Sequence, residues 1–200
     1  MRILLSLDMS TTCTGWSVFN IDTTELITYG TLKPSTKGGV AKMTYPRQQL
    51  TKMIDLSFQI RNLILQYKPT YIVIEEIAGS KQRLGQKVLD GLHWIVLFHV
   101  QEFIDIIHFY DVTGRDGWRT HLGLKLSEED KAHNKEAKKM NKDLGRGSQL
   151  PIYDVKDLSC RYANKTYGLT LNPQTSQYDA DVGDSVSMGS AFIKFKCPKV

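Results

Sequence analysis

With 200 residues, 41% apolar and 24% charged, the chain has the size and make-up of one folded domain with a single substantial core. No apolar run approaches the roughly 20 residues of a membrane span, the best being Ile95 to Val100, and the start Met-Arg-Ile-Leu-Leu-Ser-Leu-Asp lacks the length and cleavage site of a signal peptide, so it reads as a strand. Three widely spaced cysteines (Cys13, Cys160, Cys197) with no CxxC pair exclude a disulfide framework and a zinc site and fit a reducing cytosol, while a net charge of +5 points weakly to an anionic partner such as nucleic acid.

In chain order, Arg2 to Asp8, Gly15 to Asn20 and Glu25 to Leu32 are short segments rich in β-formers, joined by polar turns, as in an antiparallel meander. From Arg47 to Tyr67, Leu50, Met53, Ile54, Phe58, Leu63 and Ile64 recur near the helical period, and Pro69 ends the helix. Tyr71 to Ile77 is a short apolar strand. A second helix is expected from about Gln82 to Ile104, apolar nearly all round between Val88 and Val100 and therefore buried in the core or in a dimer interface. Trp94 falls within it and is assigned to packing or an interface. His93, His99 and His108 are scattered and read as structural.

Ile106 to Val112 is a fifth strand and Trp118 to Leu124 a short helix. Lysines crowd the segment from Lys125 to Gln149, read as a basic insertion that is either a mobile loop or an exposed helix. Helices near Asp154 to Tyr167 and from about Ala180 to Phe195 close the chain. The order β-β-β-α-β-α-β-α-α predicts a single α/β domain over residues 1–200. Its five-stranded mixed sheet, three antiparallel strands then parallel ones, is flanked by helices in the RNase H-like arrangement.

Acidic residues punctuate this scaffold. Alternation along the first strand puts Leu4, Ser6 and Asp8 on one face and Ile3, Leu5 and Leu7 on the other. A carboxylate continuing an apolar strand is expensive unless neutralised, which a metal does well, though Asp8 could also simply cap the strand. Glu75 and Glu76 end the fourth strand and point to opposite faces, so at most one can join Asp8. Asp181 and Asp184, at i and i+3, share a face near the start of the last helix, where helix capping alone would also favour them. Taken together, acids on the first strand, the fourth strand and the last helix are what a two-metal centre needs from separate elements.

These residues carry a family resemblance. Leu5-Ser6-Leu7-Asp8-Met9-Ser10-Thr11-Thr12-Cys13-Thr14-Gly15-Trp16-Ser17-Val18 resembles the opening motif of RuvC-type Holliday junction resolvases, in the RNase H-like superfamily. Val73-Ile74-Glu75 resembles their second acidic motif, Leu84-Gly85-Gln86 the start of their dimer helix, and Asp181-Val182-Gly183-Asp184-Ser185 their closing Asp-x-x-Asp. The resemblance implies catalytic metal ligands Asp8, Glu75, Asp181 and Asp184, with Asp8 bridging and Glu76 the substitute if the strand register slips. It further implies two Mg²⁺ or Mn²⁺ per active site, and a homodimer making paired cuts in four-way DNA junctions. Met9 stands where the bacterial pattern has proline, and the 125–149 segment has no counterpart. These departures mark a divergent member, bacterial or phage-encoded, working in the bacterial cytosol. They leave no basis for carrying over a cleavage-sequence preference or a helicase partner.

Lys81, Arg83 and Lys87 follow the second acidic motif and are expected to meet phosphates near the junction centre. Arg115, Arg119 and Lys125 would extend the groove, and Lys156 and Arg161, with Lys165, would line one side of the penultimate helix or form an ordinary solvated face. Three other readings compete. One is a broader branched-DNA or fork nuclease of the same fold. Another is an actin- or sugar-kinase-like ATP-binding phosphotransferase, because Thr11, Thr12, Thr14 and Gly15 suit its phosphate loop; such enzymes, however, close two such domains on the nucleotide. The third is a non-catalytic DNA-binding protein, which has no use for convergent carboxylates.

Overall fold

A computed structural model describes residues 1–76, 83–144 and 148–198, and of residues 83 and 84 the backbone only. Five strands, β1 (Ile3–Asp8), β2 (Thr14–Asn20), β3 (Glu25–Leu32), β4 (Tyr71–Glu75) and β5 (Ile107–Tyr110), form one sheet in the order β3-β2-β1-β4-β5. The first three run antiparallel, and β1–β4 and β4–β5 are parallel, as expected. Among the described residues, no helix is long and apolar enough to cross a membrane.

The alternation in β1 separates two cores. Ile3, Leu5 and Leu7 pack with Ile72 and Ile74 of β4 beneath α1 (Arg47–Tyr67) and α2 (Arg83–His99). On the other face, Leu4, Phe19 and Val73 meet Val182, Val186, Met188 and Phe192 of α6 (Gln177–Phe195). The remaining helices are α3 (Trp118–His121), α4 (Glu128–Met140) and α5 (Val155–Tyr167), the last packed on the outer side of α6. Every residue of α6 from Ala180 to Phe192 is therefore buried, which demands small side chains on both sides. A Cβ on Gly189 would lie 2.4 Å from the Phe19 ring, and one on Gly183 would lie 2.7 Å from Cys160 Sγ.

Several boundaries and faces differ from the sequence expectation. Helix α2 stops at His99, and residues 101–106 form a 3-10 turn that lets Ile107 enter the sheet opposite Ile72. Helix α6 starts three residues early because Ser176 Oγ caps it, accepting from Asp179 N. In α1 the buried stripe is Met53, Leu56, Ile60, Leu63 and Ile64, while Leu50, Ile54 and Phe58 are exposed. Trp94, on the helix expected to be buried all round, is 72% exposed, and Phe98 is 69% exposed.

Within 125–149, residues 128–140 take the helical alternative. A Ser127/Asp130 capping box starts α4, Arg161 donates to Asp130 at 2.7 Å, and Asn134 exchanges two hydrogen bonds with Tyr153. Helix α5 carries its own capping box, Asp154/Asp157, and ends at Gly168, whose φ of 69° suits a residue without a side chain.

Candidate active site

Neighbouring parallel strands end at the same edge of a sheet, so β1 delivers Asp8 and β4 delivers Glu75 to one carboxyl-terminal edge. The N-terminal half of α6 crosses that edge closely enough that a Cβ on Gly15, the register partner of Asp8, would sit 2.0 Å from the Asp181 carbonyl oxygen. Here Gly permits a close backbone approach, and that approach brings Asp181 and Asp184 to the strand-borne acids. Ser6 Oγ, on the same face of β1 as Asp8, donates to the Ser185 carbonyl at 2.8 Å and fixes the helix along the strand.

The four carboxylates form one electrostatic cluster. Burial, reinforced by Glu75, Asp184 and Asp181, pushes the Asp8 carboxyl well above its usual range. Burial and then Asp184 raise Glu75 to about 7, partly opposed by Arg119 and by the Trp118 indole. Burial also raises Asp184, against the pull of Arg119. Each shift records negative charge held away from water without full compensation.

Among the described residues, Arg119 and Lys156 are the cations that offset part of this charge. Arg119 Nη2 lies 3.1 Å from Asp184 Oδ2, and Lys156 Nζ lies 3.3 Å from Asp181 Oδ1. Burial tends to lower the Lys156 ammonium, but Asp181, Asp184 and Asp8 outweigh it and raise it. Arg119 meets Asp184 through Nη2 alone, and among the described residues Arg119 Nε and Asp184 Oδ1 are both buried without a hydrogen-bond partner. Trp118 Nε1 donates to Glu75 Oε2 at 3.3 Å.

A metal fits this chemistry: four hard oxygen donors from three elements, an excess of buried negative charge and an orphaned carboxylate oxygen. The side chains are not drawn into a closed ligand sphere. Among the described residues, no three His, Cys, Asp or Glu side chains are arranged to enclose an ion.

Glu76 is exposed and turns to the other side of β4, where it lines a shallow hollow with Asp90, His93, Trp94, Leu97 and Phe109. Asp179 is a clasp, accepting from Asn172 N at 2.8 Å. Of the expected DNA contacts, Lys87, Arg115 and Lys125 are exposed. Arg119 and Lys156 are instead engaged with the carboxylates, and Arg161 is held by Asp130 and stacks on the Tyr153 ring. Lys81 and the Arg83 side chain lie outside the described residues.

Sequence reasoning missed Trp118 as a partner of Glu75. It also missed Cys13, a buried thiol pushed to about 11 by burial and then by Asp181. Neither had a spacing signal, since both act across tertiary contacts.

No protein-family model and no curated protein matches the chain by sequence. By structure it resembles Thermus thermophilus RuvC in complex with a Holliday junction substrate, at 11% identity over 98% of this chain and 97% of that one, with a TM-score of 0.58. A second T. thermophilus RuvC structure gives 12% identity, 95% and 92% coverage and a TM-score of 0.57. The yeast mitochondrial Holliday junction resolvase gives 16% identity, 96% and 77% coverage and a TM-score of 0.49. The fold is thus the RuvC-like RNase H architecture, at low identity.

Proposed function

We propose that the chain is a divergent, metal-dependent endodeoxyribonuclease that resolves four-way DNA junctions, with Asp8, Glu75, Asp181 and Asp184 as catalytic metal ligands. The observation that carries this reading is the convergence of those four carboxylates at the carboxyl edge of β1 and β4, in a fold shared nearly end to end with a junction-bound RuvC.

Bound Mg²⁺ or Mn²⁺, two per site, would supply charge neutralisation, an activated water and stabilisation of the leaving 3′-oxygen. The chain's own residues prepare for that. Trp118 orients the Glu75 carboxylate, and Ser6 locks α6 against β1 so that Asp181 and Asp184 keep their distance from Asp8. Arg119 and Lys156 offset the carboxylate charge and present cations beside the position an incoming phosphate would take. Exposed Lys87, Arg115 and Lys125, together with Lys81 and Arg83, would hold flanking phosphates.

A homodimer matches the two symmetry-related strands of a junction. In support, α1 and α2 leave the large apolar side chains Phe58, Trp94 and Phe98 exposed, with His99 stacked on Phe58 at 4.7 Å between ring centres.

The test incubates the protein and Mg²⁺ with labelled four-way junction, replication fork and linear duplex. Paired cuts confined to the junction are expected. Equal cutting of all three would sink junction selectivity and leave the broader nuclease; ATP binding with no DNA cleavage would overturn the nuclease reading itself.

A further inference from the structure

Helix α4 takes no part in the reading above, yet its charges are sorted by side. Lys131, Lys135, Lys138 and Lys139 are all exposed. At 3.6 residues per turn they fall within about 100° of the helix circumference. Of the acids in α4, Glu128 alone shares that arc, at the first residue, where it pairs with Lys131 at 2.6 Å. Glu129 and Glu136 lie outside it, and Asp130 is turned to Arg161. Among the described residues, no carboxylate pairs with Lys135, Lys138 or Lys139. An ordinary solvated helix intersperses both signs, because opposite charges three or four residues apart stabilise it.

The helix is also held more firmly than its packing requires. Ala137 is its one buried residue, so it adds little to either core. Nevertheless Asn134 exchanges two hydrogen bonds with the Tyr153 backbone, and Asn141, two turns on, exchanges two with that of Leu150. His133 stacks on the Tyr153 ring at 4.6 Å and meets the Pro151 carbonyl at 2.9 Å. One side of α4 is thereby clamped along residues 150–153, which fixes where its lysines point.

The clamping segment leads straight to the carboxylates. Asp154 caps α5, and Lys156, three residues beyond Tyr153, lies against Asp181 at 3.3 Å. Three residues span at most about 10 Å, so the mount of α4 begins that close to the backbone bearing Lys156. Lys131 to Lys139 covers about 12 Å of helix axis, over which one strand of a duplex presents about four phosphates. Four cations in a row match that charge. A membrane surface fits less well, because a helix lying on lipid sets a broad apolar face against it, and Met140 is the one large apolar residue of α4.

We propose that α4 is a fixed cationic rail for the phosphate backbone of one duplex arm of the junction, engaged outside the cleavage centre. The inference rests on the junction-nuclease reading above and assigns a DNA contact which that reading does not use.

The test binds the full-length protein to a long-armed four-way junction, and to a linear duplex of the arm sequence, in chelator-containing buffer so that nothing is cut. Hydroxyl-radical footprints of the parent are expected to show a run of about four protected sugars on one arm, apart from the branch point. The triple variant Lys135→Gln/Lys138→Gln/Lys139→Gln, which keeps good helix formers, should erase that run and keep the branch-point protection. Its plot of log affinity against log salt should be shallower by about 2–3, close to 0.9 for each lysine removed. The double variant Asn134→Ala/Asn141→Ala keeps every lysine, so it should weaken junction binding about tenfold through lost preorganisation and leave the slope parental.

A parental footprint and slope in the triple variant overturn the rail, and parental affinity in the double variant overturns its fixed mount. Loss of the branch-point protection together with the arm run sets the lysines at the cleavage centre and overturns an arm contact. A parent that binds the linear duplex as tightly as the junction overturns the junction reading alone, because the rail is then tested on that duplex by the same slope. A parent that binds neither overturns both.

Discussion

Replacing Gly15 by alanine tests the contact that assembles the candidate site. The new Cβ would sit 2.0 Å from the Asp181 carbonyl oxygen and 2.4 Å from its carbonyl carbon, more than an ångström inside ordinary van der Waals contact. Neither atom belongs to a flexible side chain, so α6 must recede from β2 as a body. That motion withdraws Asp181 from Asp8, which pairs with Gly15 across the strands and stays fixed in the sheet centre.

Overpacking of this kind costs about 1–3 kcal/mol, equivalent to roughly 2–12 °C in melting temperature for a domain of this size. A displacement of about 1 Å at catalytic groups costs on the order of a hundredfold in rate. The assay pairs thermal unfolding with single-turnover cleavage of a labelled four-way junction in Mg²⁺. Gly91→Ala is the control: its Cβ would meet Met53 Sδ at 3.5 Å, an ordinary contact, so removing a helical glycine should stabilise by about 0.5–1 kcal/mol and leave cleavage alone. Parental stability and cleavage in Gly15→Ala would refute the close approach of α6 to β2, and with it the placement of Asp181.

Asp8→Asn removes a buried, poorly compensated charge, so it should abolish cleavage, retain junction binding and raise the melting temperature of the chelated protein at pH 8; a lower one contradicts the charge excess. Mg²⁺ at a hundred times its Kd should stabilise the parent by about 2.7 kcal/mol, and Asp8→Asn much less. Because the folded-state pKa of Glu75 is raised from 4.5 to about 7, the folded protein holds that proton more tightly, and the stability it contributes at low pH is lost as pH rises from about 4.5 through 7. Urea unfolding of the chelated protein at pH 5 to 8 should show that slope reduced in Glu75→Gln; an identical slope removes Glu75 from the cluster. Glu76→Gln, on the opposite face of β4, should cleave at the parental rate, and a large loss would reverse the choice between the two glutamates. Arg161→Ala should loosen α4, read as faster limited proteolysis within 125–149, while the salt dependence of junction binding stays parental; a slope shallower by about one would make Arg161 a phosphate contact.

The sequence by itself determined the frame. Period-two alternation in Ile3–Asp8 assigned opposite faces correctly, because side chains of any strand alternate whatever it pairs with, and the two cores divide along that line. Asp181 and Asp184 were placed on one helix face by spacing alone. The order of strands and helices limited the topology, since parallel neighbours need crossover helices.

Tertiary structure alone decided which side of each element matters. Glu75 and Glu76 are equivalent in a local pattern, and only the packing of α6 on one face of β4 and α2 on the other separates them. Lys156 and Arg119 look like any basic residues on a helix until the fold sets them against Asp181 and Asp184. Trp94 lies in an apolar helix by sequence and on an open surface in the fold, because α2 turns Leu92 and Val96 to the core instead. The orphaned oxygen of Asp184 has no trace in the sequence, since a missing partner is a property of three-dimensional surroundings and not of the residue.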